Sequence, residues 1–258
     1  MDVIMHILLT NDDGLNAKGI QILKAEMAAY ADQVTLSAPT GERSASSHSM
    51  TIHRSLYCTE MPRVLPQVRE IMISGTPVDC VKIAVEYFLK DDRPDLIISG
   101  INNGYNLGSD VLYSGTVAAA MEGHYYHIPA MAVSMSRMET ERAVETAELV
   151  HQIVEKLFVA QQFQGVLNVN IPPEGDVSLA NACVVPQTVQ VYNNIIAEKA
   201  DLDGSRCYRI VGDIDMTHAP EDSDVGCIRR NCISLTPLGW RQTAMEQFPA
   251  VRSLLTDI

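Results

Sequence analysis

The stretch His6-Ile7-Leu8-Leu9-Thr10-Asn11-Asp12-Asp13-Gly14 sets the reading of the chain. Its first five residues predict a strand that runs straight into two adjacent carboxylates, and Gly14 then allows a tight turn. Outward from it, short apolar runs predict further strands over 33–38, 70–74, 95–99, 130–134 and 166–171. Helical stripes lie between them. Ile20, Leu23, Met27 and Tyr30 recur at i, i+3, i+7 and i+10, and Val78, Val81, Val85 and Phe88 repeat that spacing. Thr76-Pro77 supplies an N-cap and a first-turn proline for the second stripe, with Asp79 placed for a capping box. A longer helix is expected over about 139–160. Strand–helix alternation predicts an α/β fold with a parallel sheet covered on both faces, and ligands in such sheets bind beyond the carboxyl ends of the strands.

From about Pro172 the pattern changes. Strands are expected over 184–191, 207–211 and 231–236, a charged loop over 197–205, and a closing helix near 239–255. We therefore divide the chain into an α/β catalytic core, 1–172, and a β-rich appendage with a C-terminal helix, 173–258.

The 258 residues carry 19 basic and 32 acidic side chains, a net charge of −13 with neutral His. A surface this negative repels nucleic-acid phosphate backbones and anionic membranes, so neither is expected as a partner. It also repels small phosphates, so a site for them would need a local cation. No run approaches the ~18 apolar residues of a membrane span. The first ten residues show no secretory signal pattern, and the six scattered cysteines read as reduced thiols, so a cytoplasmic location is expected.

Three segments carry candidate chemistry. Adjacent Asp12 and Asp13 repel each other unless compensated, which a hard divalent cation does with oxygen ligands; a polar turn is the alternative. In the segment 38–49, Arg43 offers a fork of donors suited to phosphate and Ser44 a metal-ligating oxygen, unless the run of small hydroxyls is only a flexible loop. His48 there reads as a proton donor or as an ordinary surface imidazole. After the strand at 95–99, an Asn side-chain oxygen in Asn102-Asn103-Gly104 can complete a metal shell. Ser114-Gly115-Thr116 then opens a helix whose free N–H groups make a phosphate cradle or a simple N-cap. His124 and His127 lack partners at zinc spacing and read as exposed. There is no Gly-Lys nucleotide loop, no G-x-G-x-x-G and no G-x-S-x-G.

Taken together, T-N-D-D-G at Thr10–Gly14, E-R-S at Glu42–Ser44, S-G-T-P-x-D-C at Ser74–Cys80, S-G-I-N at Ser99–Asn102 and Y-S-G-T-V-A-A-A-M-E-G at Tyr113–Gly123 resemble the stationary-phase survival (SurE-type) 5'-nucleotidases. L-N-V-N-I-P at Leu167–Pro172 and T-P-L at Thr236–Leu238 extend the resemblance. It implies a Rossmann-like three-layer α/β/α core with a C-terminal β-rich oligomerisation appendage. It implies one divalent cation, Mg²⁺ or Mn²⁺, on Asp12, Asp13, Ser44 and Asn102, with Asp12 and Asp13 as catalytic residues. It implies phosphate binding by Ser114, Gly115 and Thr116, and Asn102 facing the substrate. The implied reaction is hydrolysis of nucleoside 5'-monophosphates, with 3'-monophosphates as a further substrate, by a homodimer or homotetramer. Tyr105 departs from the family, which usually has proline there, and Asn103 sits at a variable position. Two rivals stand beside this: an aspartyl-phosphate-type phosphatase, which would want D-x-D and a dedicated Lys, and a non-catalytic nucleotide sensor.

Overall fold

The computed structural model describes residues 5–189, 191–200 and 206–255. Its main sheet contains β1 (His6–Thr10), β2 (Gln33–Pro39), β3 (Cys58–Glu60), β4 (Val68–Ile73), β5 (Leu96–Asn103), β6 (Ala130–Met135), β7 (Val166–Ile171), β8 (Ala182–Val184) and β11 (Ile233–Leu238). The strand order is β3-β4-β2-β1-β5-β6-β7-β11-β8. From β4 to β7 every pairing is parallel. The chain winds outward from β1 through β2 to β4, then crosses back to β5 and winds the other way. The point of reversal therefore lies between β1 and β5, where parallel sheets open a crevice at their carboxyl ends.

Strand β1 is buried along its whole length and serves both layers. Ile7 and Leu9 pack with α1 (Lys18–Tyr30) and α4 (Thr140–Ile153). Leu8 faces the layer of α2 (Pro77–Ile83) and α3 (Gly115–Tyr125). The capping box at Thr76 and Asp79 forms as the residues predict. Helix α3 lies close on the sheet because Ala118, Ala119 and Ala120 are small, and a Cβ on Gly123 would meet Ile97 at 2.6 Å. All six cysteines are free, and no helix among the described residues is long and apolar enough to cross a membrane.

The C-terminal third differs from the expectation. The predicted strand at 231–236 is β11, and it enters the main sheet antiparallel to β7 and parallel to β8. Of the predicted strand at 184–191, Val184 ends β8, residues 185–189 form a connection, residue 190 lies outside the described residues, and Val191 opens β9 (Val191–Ala200). In the connection Asp224 Oδ1 accepts the Thr188 N–H and Pro186 O accepts the Asp224 N–H, so the backbone bonds to α5 (Asp224–Arg229) rather than to a neighbouring strand. Residues 197–200, expected in a loop, belong to β9 (Val191–Ala200), which pairs antiparallel with β10 (Arg206–Asp215). The rest of that expected loop, 201–205, lies outside the described residues. The long helix at 139–160 is α-helical to Ile153 and then widens into a π-type turn, Val154–Val159. The closing helix shrinks to α6 (Phe248–Arg252), flanked by single 3₁₀ turns.

Candidate functional site

Strands β1 and β5 end side by side, and their carboxyl ends open into a cavity of about 710 Å³. Asp12 and Asp13 line it from β1, Asn102 and Asn103 from β5, Ser44 and Glu42 from the loop after β2, and Ser114 from the start of α3. The four expected metal-binding residues thus share one cavity.

Asp12 is 6% exposed. Its Oδ1 accepts the Thr116 hydroxyl at 2.6 Å, and its carbonyl accepts the Arg43 N–H at 2.7 Å. Burial pushes its carboxyl above the usual carboxylate range, against the pull of the Thr116 hydroxyl and backbone N–H. Asp13 is half-buried; burial, then the neighbouring Asp12 charge, push it up to about 6. Asn11 closes the turn that holds both acids, donating Nδ2–H to Gly14 O and accepting the Gly14 N–H. Gly14 sits at φ +102°, and a Cβ there would press on Gly41 at 3.1 Å.

The Asn102 Nδ2 donates to Gly104 O at 2.8 Å, which leaves its Oδ1 as the uncommitted oxygen. The Ser44 hydroxyl donates to Glu42 at 2.6 Å and keeps its lone pairs for a cation. Ser114 is the N-cap of α3, its Oγ accepting the Val117 N–H. Gly115 and Thr116 stand behind Asp12 rather than on the cavity wall. A Cβ on Gly115 would meet Ser46 Oγ at 2.7 Å and Asp12 Oδ2 at 3.1 Å. Arg43 also misses the cavity, its guanidinium reaching Ser74 O at 3.4 Å.

The charge of this cavity is its most informative property. Asp12, Asp13, Glu42 and Asp110 line it, and no Lys or Arg does among the described residues. No three His, Cys, Asp or Glu side chains converge on one point among the described residues. The cavity's two adjacent carboxylates, with the Asn and Ser oxygens, have the hard-oxygen chemistry that suits Mg²⁺ or Mn²⁺. Tyr105, Tyr113 and Ile210 of β10 form the less polar walls.

Sequence reasoning missed the residues that fix the loop after β5. Asn106 N–H donates to Asn170, the Asn168 and Asn170 amides donate to Asn106 O, and Asn106 donates to Ser134. Asp224, fully buried, accepts the Gly108 N–H at 2.6 Å. The alternation of Asn with Val and Ile in Leu167–Ile171 was the available signal, since buried amides are found where they have partners. His48 stands outside the cavity and bonds Glu122 at 2.9 Å. His127 is exposed, while His124 is half-buried in the last turn of α3.

Residues 7–194 match the family model described as Survival protein SurE. The chain is 36% identical over 251 residues to the 5'-nucleotidase SurE of Alkaliphilus metalliredigens, covering 97% of this chain and 98% of that one. It is 39% identical over 236 residues to the 5'-nucleotidase SurE of Heliobacterium modesticaldum, covering 91% and 86%. The crystal structure of the SurE protein from Aquifex aeolicus superposes with a TM-score of 0.82 at 31% identity, over 97% of this chain and 99% of that one. With Asp12, Asp13, Ser44, Asn102 and Ser114 gathered at one switch-point cavity and the match extending over almost the whole chain, this protein belongs to the SurE family.

Proposed function

We propose that this chain is a 5'-nucleotidase that hydrolyses nucleoside 5'-monophosphates to nucleoside and phosphate with the help of one Mg²⁺ or Mn²⁺. The observation that carries the reading is a cavity with four carboxylates and, among the described residues, no basic side chain, at the start of a helix, in a family whose relatives are named 5'-nucleotidases. A phosphate dianion enters such a cavity only if a cation is there first.

Asp12, Asp13, Ser44 and Asn102 would hold the cation. When bound, it supplies the charge neutralisation and polarisation of the phosphoryl group that hydrolysis of a phosphate monoester requires. The chain's own residues do the positioning. Thr116 fixes the rotamer of Asp12 through its hydroxyl, and Ser114 presents its side chain to the phosphoryl oxygens. The first turn of α3 adds a favourable dipole of ~1–2 kcal/mol at best, which orients the phosphate but cannot alone drive the reaction. Tyr105, Tyr113 and Ile210 offer apolar surface for the nucleoside.

An aspartyl-phosphate route would use a lysine beside the acids, and the described lining residues include none. The reading is tested by phosphate release from 5'-AMP, 5'-GMP and 3'-AMP with Mn²⁺ present. Turnover of the 5'-monophosphates supports it. Tight binding of these nucleotides without release would make the protein a sensor instead.

A further inference from the structure

Helix α3 carries a second acidic contact that catalysis does not use. Glu122, 7% exposed, projects from a helix otherwise built of Ala, Val, Gly and Thr at its buried positions. A buried carboxylate is costly unless paired. His48 Nε2 lies 2.9 Å from Oε2, and Lys82 Nζ lies 3.7 Å from Oε1. Lys82 is shared with Glu86 at 3.2 Å and with the Tyr126 hydroxyl at 2.8 Å, and Tyr126 in turn donates to Glu86. The Trp240 ring lies 5.2 Å from the His48 ring.

The other half of the pair lies in the loop that presents Ser44. Between Ser44 and His48, Ala45 (φ +52°) and Ser47 (φ +51°) both adopt the left-handed conformation that residues with a Cβ disfavour. Between them, the Ser46 hydroxyl is buried without a partner. Such a backbone persists only where its surroundings hold it. Among the described residues the anchors are Arg43 N–H to Asp12 O, the Arg43 guanidinium to Ser74 O, Ser47 N–H to Tyr113 O, Thr76 hydroxyl to Ser49 O, and His48 to Glu122. Only the last joins two side chains, and it joins the loop to the same helix whose Thr116 grips Asp12.

We propose that His48 and Glu122 are a positioning pair that latches the Ser44 loop onto α3, so that one helix holds both the Asp12 side and the Ser44 side of the metal-binding cavity. The inference rests on the metal reading above. His48 does not line the cavity, and its effect passes through the geometry of Ser44.

The test is calorimetric titration of Mn²⁺ into the full-length, nucleotide-free protein. His48→Ala should weaken Mn²⁺ binding roughly tenfold, the loss expected for one hydrogen bond to a charged group. His48→Gln, whose amide N–H reaches Glu122 from a similar position, should restore binding to within about threefold of wild type. Adding Ala45→Gly and Ser47→Gly to His48→Ala should recover most of the affinity, because glycine takes the left-handed conformation without the anchor. Should His48→Ala fail to fold, Glu122→Asp keeps the charge beside Lys82, withdraws the acceptor from His48, and must weaken Mn²⁺ in the same way. Unchanged Mn²⁺ affinity in folded His48→Ala overturns the latch, as does equal weakening in His48→Ala and His48→Gln. Wild type that binds no Mn²⁺ overturns the metal reading itself, and the latch with it.

Discussion

Thr116 illustrates how a side chain works through its neighbour. Its hydroxyl sits 2.6 Å from Asp12 Oδ1 inside a wholly buried environment, so it orients a carboxylate rather than meeting solvent. Thr116→Ala should remove a hydrogen bond to a charged group, worth about 1.5–3 kcal/mol, and leave Asp12 less fixed. Mn²⁺ affinity measured by calorimetry should fall about tenfold or more, while Thr116→Ser keeps it; equal affinities in Ala and wild type would show that Asp12 needs no such support. Gly115 is constrained from the same side. Alanine there is the better helix former by about 1 kcal/mol, yet its Cβ would meet Ser46 Oγ at 2.7 Å and Asp12 Cβ at 3.0 Å. Gly115→Ala should therefore keep a folded circular-dichroism spectrum and lose most of its turnover. From sequence, the pairing of Asp12 with Asp13 was legible as chemistry because adjacent carboxylates need compensation. The contact of Thr116 with Asp12 was not, since 104 positions separate the two residues.

At the scale of elements, β1 shows why most of the sheet could be read and where reading stopped. Strands buried on both faces are short apolar runs, and β1 and β7 match the expected limits while β2, β4, β5 and β6 shift or lengthen by a few residues. Strand β5 reaches Asn103 because Gly100, at φ +138°, lets the chain pass Val133 O, which a Cβ would meet at 2.4 Å. Nothing in a Gly-Ile-Asn-Asn run announces that extension. The connection after β8 resembled a strand in its alternation, but Pro186 cannot donate to a ladder and Asp224 takes the Thr188 N–H instead. Strand β1 also carries a pH dependence. His6 is buried and bonded to Thr35 Oγ1 at 2.9 Å, and burial lowers its pKa from the ordinary 6.5 despite Asp92 and Asp95 nearby. The folded chain thus takes up the His6 proton at lower pH than the unfolded chain, whose imidazole titrates near 6.5. Its contribution to stability is present above that pH and is lost as pH falls below it. Between about pH 7.5 and 5.5, the urea midpoint of wild type should drop more than that of His6→Gln; parallel drops would assign the slope to other groups.

For the whole molecule, the C-terminal third is both part of the core and an exposed arm. Strands β8 and β11 complete the sheet, and Asp224 of α5 pins the loop after β5. The β9–β10 pair forms a separate two-stranded ribbon, with Ile196, Tyr208 and Ile210 at 60%, 61% and 77% exposure. Ribbons of this kind are marginal alone. We expect this arm to pack against a second copy, and light scattering at micromolar concentration should report at least a dimer; a fully active monomer would rule that out. The overall charge of −13 and the four-carboxylate cavity both disfavour a bare phosphate, which is why the proposed reaction calls for a cation. The most direct measurement is phosphate release from 5'-AMP by chelator-treated wild type and Asp12→Asn, each before and after Mn²⁺ or Mg²⁺ is added. Wild type should be silent after chelation and recover with the metal, whereas Asp12→Asn should fold, with the metal-free variant at least as stable as metal-free wild type, and stay silent throughout. Hydrolysis that survives chelation, together with an active Asp12→Asn enzyme, would contradict the account.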